Sequence, residues 1–134
     1  MGRFTAFTAS TLAEAIATEL AAGDEEFALR MLLRGIADLR DLLQEHDDEA
    51  LSNFLSPPPP TGSQRWDTLL AVSVGRELRR AQHPRPAWTT PAALSSWWFP
   101  LDPPPVLFAR ILQRTPPDLA CLGIWIDEKA FSIA

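Results

Sequence analysis

Residues 11–44 read TLAEAIATELAAGDEEFALRMLLRGIADLRDLLQ, and this stretch decides the fold. Thr11 and Glu14 have the spacing of a capping box, in which two side chains three residues apart satisfy the free amides at a helix start. Leu12, Ile16 and Leu20 then recur every four residues and share one helical face. Gly23 is expected to end this helix, because glycine enters the left-handed conformation at little cost. Asp24 can cap the next helix at once, with Glu25 and Glu26 near the positive end of its dipole. That second helix is expected to reach about Gln44, with Phe27, Met31, Leu32, Ile36, Leu39 and Leu43 on one broad face. Two amphipathic helices joined by so short a turn make an αα-hairpin.

Working outward, a third short helix is expected from Asp48 to Leu55, burying Leu51, Phe54 and Leu55. Pro57 to Pro60 cannot be helical inside and form a stiff polyproline spacer, or alternatively a ligand for a proline-binding domain. Ser63 can cap a long helix to about Gln82, on which Trp66, Leu69, Leu70, Ser73, Val74 and Leu78 follow helical spacing. Thr90-Pro91, Asp102-Pro103 and Thr115-Pro116 each place a cap before a proline at the first helical position. They predict short helices over roughly 91–98, 103–114 and 116–122. Gly123 should end the last of these, Ile124-Trp125-Ile126 is a brief extended stretch, and Asp127 could cap a final turn ending at Phe131. The expected fold is all-α. Residues 1–134 form one compact helical domain with an N-terminal αα-hairpin, a long central helix and several short Pro-started C-terminal helices. Within it, 1–56 is an acidic helical segment, 57–62 a Pro-rich connector and 63–134 a Trp/Pro-rich segment.

A chain of 134 residues with 46% apolar and 22% charged side chains is long enough for one core and has a globular composition. All five tryptophans and all thirteen prolines fall after residue 56. The net charge of −5 divides unequally: residues 1–56 hold four arginines against eleven acids, which is −7, and residues 57–134 hold eight Lys/Arg against six acids, which is +2. An acidic front half is a poor match to phosphate backbones, so nucleic-acid binding by this chain alone is disfavoured. The single cysteine, Cys121, fits a reducing compartment, and no apolar run reaches the roughly 20 residues of a membrane span. At the N-terminus, polar Thr5, Thr8, Ser10 and Thr11 interrupt any signal-like core, and Ala6 breaks the myristoylation pattern. A cytoplasmic location is expected, and the residue usage suggests a GC-rich bacterial genome.

Little in the sequence carries chemistry. His46 and His83 have no partner at metal-ligand spacing, and the acidic run Glu45, Asp47, Asp48, Glu49 lacks the glycine turn of a calcium loop. Cys121 sits among Leu119, Ala120 and Leu122 and is expected to be a buried structural thiol. No nucleophile elbow and no Gly-rich phosphate loop is present. No catalytic residue, metal or cofactor is therefore expected. Two groups of side chains remain. Arg76, Arg79, Arg80, His83 and Arg85 lie at and beyond the end of the long helix, where they could grip an acidic protein surface or simply complement the helix dipole. Trp88, Trp97, Trp98, Phe99 and Pro100 form an aromatic cluster; Trp66 and Trp88 are read as core, and one of Trp97 or Trp98 as a partner contact, because indoles are enriched in interface hot spots.

Several short motifs also look familiar. The segment Thr61-Gly62-Ser63-Gln64-Arg65-Trp66-Asp67-Thr68-Leu69-Leu70 is similar to a Thr-Gly-Asp-x-Arg-Trp-Asp-Ala-Leu-Leu pattern in small actinobacterial regulator-like proteins, some of which resemble antitoxins. So are Pro86-Ala87-Trp88-Thr89, Trp98-Phe99-Pro100, Gly123-Ile124-Trp125-Ile126-Asp127 and the turn Ala21–Arg30. Ser63 replaces the acid of that pattern, and Cys121 and Leu122 replace arginines. The resemblance implies a non-catalytic interaction protein that neutralises a partner, such as a nucleotidyltransferase-type toxin, by covering it. Arg65, Asp67, Arg76, Arg79 and Arg80 would supply charge complementarity, with Trp97 or Trp98 as apolar anchor. The alternatives are a DNA-associated transcriptional regulator using the basic patch and a small-molecule sensor or enzyme with an aromatic-lined pocket. The oligomeric state is left open.

Overall fold

A computed structural model describes residues 7–132. Six α-helices follow in order: α1 Ala9–Ala21, α2 Glu25–Glu45, α3 Asp48–Phe54, α4 Gln64–Arg80, α5 Phe108–Arg114 and α6 Pro117–Ala120. Short 3-10 turns occupy Ala87–Thr89, Pro105–Leu107 and Glu128–Ser132. Among the described residues there is no β-strand, only an isolated bridge between Trp98 and Ile124. The fold is all-α, as expected. The readings made on Arg3, Thr5 and Ala6 lie outside the described residues.

The hairpin forms as its turn residues dictate. Gly23 takes φ 76°, its N–H donates to the Leu20 carbonyl, and the Asp24 N–H donates to that of Glu19. This pair of bonds is a Schellman motif, which satisfies the last carbonyls of α1. Asp24 then caps α2 by accepting from the Phe27 N–H at 3.0 Å. The start of α1 differs from expectation. Thr8, not Thr11, is the cap, and Thr8 and Thr11 bond reciprocally, so the helix gains one turn and Glu14 lies inside it.

The core is built where α2 packs against both α1 and α4. Leu12, Ile16, Leu32, Ile36, Leu39, Leu69, Leu70 and Leu78 are fully buried, with Phe54 and Trp66 beside them. Burial of each such side chain contributes about 1.5–3 kcal/mol. Every residue of α4 from Thr68 to Leu78 is buried, so this helix is covered on all sides and forms the axis of the domain. Two glycines set the packing distances. A Cβ on Gly35 would run into Leu12 Cδ2, and one on Gly75 would lie 2.8 Å from the Thr89 carbonyl oxygen. α4 ends at Arg80 in a second Schellman motif, with Gln82 at φ 57° in the position glycine usually takes.

Of the three short Pro-started helices, those expected over 103–114 and 116–122 form close to their expected limits, and the one expected over 91–98 is corrected by the structure. Residues 91–98 are not helical. Their amides bond instead to the chain after α6, Leu94 N–H to the Leu122 carbonyl and Trp98 N–H to that of Gly123, and Trp98 in turn accepts from the Trp125 N–H. Long-range bonds plus burial of the Trp98 ring outweigh a weak local helix of Ala and Ser. Elsewhere the helices start later than the first proline. Pro104 and Pro105 each force the residue before them into extended conformation, so the turn begins only at Pro105, and Pro104 holds ψ 147°. For the same reason α6 starts at Pro117, with Pro116 extended at ψ 144°. The final turn forms as expected after Asp127, which accepts from the Lys129 N–H at 2.9 Å, but with 3-10 geometry.

Candidate functional site

The expected interaction residues separate into those consumed by the fold and those left at the surface. Arg76, only 7% exposed, bonds Asp118 at 3.0 Å and Glu128 at 3.4 Å and lies over the Phe131 ring at 5.0 Å. It ties α4 to α6 and the final turn. Asp67 accepts from both the N–H and the hydroxyl of Thr61, at 2.8 and 2.7 Å, and so fastens the end of the proline run to the first turn of α4. Arg79 and Arg80 are exposed and reach Asp118 and Glu77 respectively, at 3.4 and 3.7 Å. Arg65 is exposed with its guanidinium 5.9 Å from the Trp98 ring centroid. His83 lies against the Pro84 carbonyl, and Arg85 is exposed.

The adjacent indoles part company. Trp98 is 6% exposed and packs edge-on against Trp66 at 5.4 Å, whereas Trp97 is 63% exposed and rests edge-on against Trp125 at 4.8 Å. Neighbouring side chains of an extended segment point to opposite faces, which gives this one-in, one-out arrangement. Trp66 donates to Glu25 and Trp88 to the Leu55 carbonyl, so both serve the body of the fold.

Beyond Trp97 the helix expected over 103–114 forms from Pro105 onward, but as an exposed arm rather than a core element. The chain passes through Leu101 and Asp102, both left-handed at φ 69° and 47°, and enters an arm that ends at Thr115. Left-handed geometry is costly for leucine, of order 1–2 kcal/mol. Neither the 3-10 turn Pro105–Leu107 nor α5 buries a single residue. Leu101, Val106, Leu107 and Leu112 are all exposed, Val106 to 84%. Phe108 of the arm stacks on Phe99, with ring centroids 4.3 Å apart and planes 17° from parallel. Monomeric proteins rarely expose a contiguous apolar patch of this kind, and among the described residues nothing buries the side chains of this turn and helix. Nothing in the spacing of Phe108, Ile111 and Leu112 foretold this, because they fall on one face of α5 as the residues of a core-packed helix would.

At the root of the arm lies an open groove of about 870 Å³. Its walls include Arg40, Arg76 and Arg80 on one side, Gln113, Arg114 and Pro116 at the end of the arm, and Asp127, Glu128 and Lys129 from the last turn. Arg40 is held by Glu77 through two bonds, Nε to Oε1 at 3.1 Å and Nη2 to Oε2 at 3.0 Å. The Glu77 hydrogen bond raises the Arg40 pKa further above its ordinary value, against the opposing effect of burial. Among the described residues Arg114 and Lys129 make no ion pair.

Cys121 is exposed, contrary to expectation, and its thiol donates to the Asp118 carbonyl at 3.4 Å. The inward positions of this turn are taken by Leu119 and Ile124, both fully buried. Among the described residues no three His, Cys, Asp or Glu side chains come together as a metal site, and no helix is long and apolar enough to cross a membrane. No protein-family model matches the chain, and no curated protein or solved structure is detectably similar to it. The functional reading therefore rests on the arm, the exposed indole and the groove.

Proposed function

We propose that this protein is a non-catalytic interaction module that docks a protein partner through the stretch from Trp97 to Leu112. The observation that carries this is the unburied arm: Leu101, Val106, Leu107 and Leu112 are exposed, and neither the turn Pro105–Leu107 nor α5 has a buried residue. Exposed Trp97 stands just before it, and tryptophan is the side chain most enriched among interface hot spots. Covering such a surface would contribute about 25 cal/mol for each Å² of apolar area removed from water, before the cost of association. The motif resemblance in Thr61–Leu70 supports the finer proposal that the partner is neutralised by being covered, as an antitoxin does to its toxin. Inhibition of that kind needs complementary shape and no bond-breaking group.

Co-expression with the product of the neighbouring gene, followed by size-exclusion chromatography with light scattering, tests the proposal. A stable stoichiometric complex that Leu107→Asp with Leu112→Asp disrupts is the expected result. A complex indifferent to these substitutions and to Trp97→Ser would remove the arm from the account.

A further inference from the structure

The groove at the root of the arm has a charge opposite to that of the chain. Arg40 and Arg80 share one carboxylate, that of Glu77. Arg76 and Arg79 share Asp118, with Glu128 also on Arg76. Arg114 and Lys129 add two cations with no ion pair among the described residues, and Asp127 is engaged by the Lys129 backbone N–H. Five cations line the groove, Arg40, Arg76, Arg80, Arg114 and Lys129, against two lining carboxylates, Asp127 and Glu128, and counting Glu77 and Asp118 behind them still leaves one positive charge in excess on a chain whose net charge is −5. The groove is also continuous with the arm, because Gln113 and Arg114 are both the last residues of α5 and part of its wall.

We infer that the groove and the arm together receive an acidic amphipathic segment of the partner, with its apolar face on Leu107 and Leu112 and its carboxylates toward Arg80, Arg114 and Lys129. This rests on the docking function proposed above and adds the chemistry of the occupant. A protein segment fits better than nucleic acid on two grounds. The acids Asp127 and Glu128 stand in the same groove and would repel a dense row of phosphates, and the adjoining arm offers aliphatic rather than basic side chains. A second copy of the chain fits less well. The acidic helices α1 and α2 of another copy have their apolar faces, Leu12, Ile16, Leu32 and Ile36, already buried in their own core and so have none to lay on Leu107 and Leu112. Apolar contacts would supply affinity, and the cations orientation and selectivity against basic partners.

The test uses the full chain and three fluorescently labelled probes, read by anisotropy. One probe is a helical peptide with leucines on one face and glutamates on the other, the second has lysines in place of the glutamates, and the third is a single-stranded oligonucleotide. The glutamate peptide should bind, weaken as salt is raised, and lose roughly tenfold in affinity with Arg114→Glu plus Lys129→Glu. Arg114 and Lys129 are exposed and bear no ion pair among the described residues, so this variant keeps the fold, which its thermal melt verifies. Equal binding of both peptides, lost in Leu107→Asp plus Leu112→Asp, would overturn the inference while leaving the arm as the docking element. Preference for the oligonucleotide, or no binding of the glutamate peptide, would also overturn it. So would self-association, measured by sedimentation, that the charge reversal abolishes, since a second copy would then occupy the groove.

Discussion

Arg40 of α2 and Glu77 of α4 meet through two parallel bonds of 3.1 and 3.0 Å, with Glu77 only 4% exposed and Arg40 about one-third exposed. The pair is asymmetric, because the carboxylate is buried while the guanidinium reaches water. α4 is the axis of the domain, and this bond orients it against the hairpin at the edge of the groove.

The asymmetry predicts unequal costs. Arg40→Met leaves a carboxylate in the interior and is expected to destabilise by about 3 kcal/mol, the low end of the range for breaking a buried pair, because Arg80 stands 3.7 Å away as a partial substitute. Glu77→Gln leaves a guanidinium that can turn to water and should cost about 1 kcal/mol. Urea unfolding of the two variants measures the difference. The Arg40 pKa is raised, so its contribution is fully present below the ordinary arginine value and lost only as pH rises through the still higher folded value. This side of the pair therefore adds no pH dependence to stability near neutrality.

Gly75→Ala should destabilise despite alanine's better helix propensity, worth about 1 kcal/mol. The added Cβ meets the Thr89 carbonyl oxygen at 2.8 Å, a backbone atom that cannot rotate away. A net loss of about 1–2 kcal/mol is expected from such overpacking, read as a lowered denaturation midpoint at unchanged slope. An alanine variant as stable as the parent would show that the turn Ala87–Thr89 is free to shift.

Neighbouring indoles should separate folding from binding. Trp98→Ala removes a buried ring packed on Trp66 and is expected to cost about 3–5 kcal/mol. Trp97→Ala removes a ring that touches Trp125 from the solvent side and should cost about 1 kcal/mol or less. Under the proposed function Trp97→Ala weakens partner binding by about 2 kcal/mol, a hot-spot magnitude. Thermal melts paired with binding titrations separate the two.

Cys121 should react in the native state. Its side chain is exposed, so a thiol reagent is expected to modify it under folding conditions at a rate that denaturant does not greatly raise. Modification seen only after unfolding would restore the sequence-based expectation of a buried thiol.

What was legible in the sequence followed from local chemistry. Gly23 with Asp24 and Ser63 before α4 are cap signals whose geometry depends on a few adjacent residues, and α2, α3 and α4 form within a residue or two of their expected limits. After residue 90 the deciding interactions are not local. Whether 91–98 coils depends on the carbonyls of Leu122 and Gly123, about 25 residues later in the chain, which no local pattern records. The site divides the same way. Exposed Trp97, Arg79 and Arg80 were singled out by residue type, but type cannot tell Trp97 from Trp98, nor foresee that Arg76 would be spent on Asp118 and Glu128. The arm and the groove depend on what fails to cover α5, and an absent neighbour leaves no mark in a spacing pattern.

Amide hydrogen exchange, recorded free and with the co-expressed partner bound, addresses the central claim most directly. In the free protein α5, which buries no residue, should exchange far faster than the enclosed α4. On binding, protection should appear across residues 97–114 and be greatest in α5. Protection confined to the α1–α2 hairpin, with residues 97–114 exchanging as before, would contradict the account.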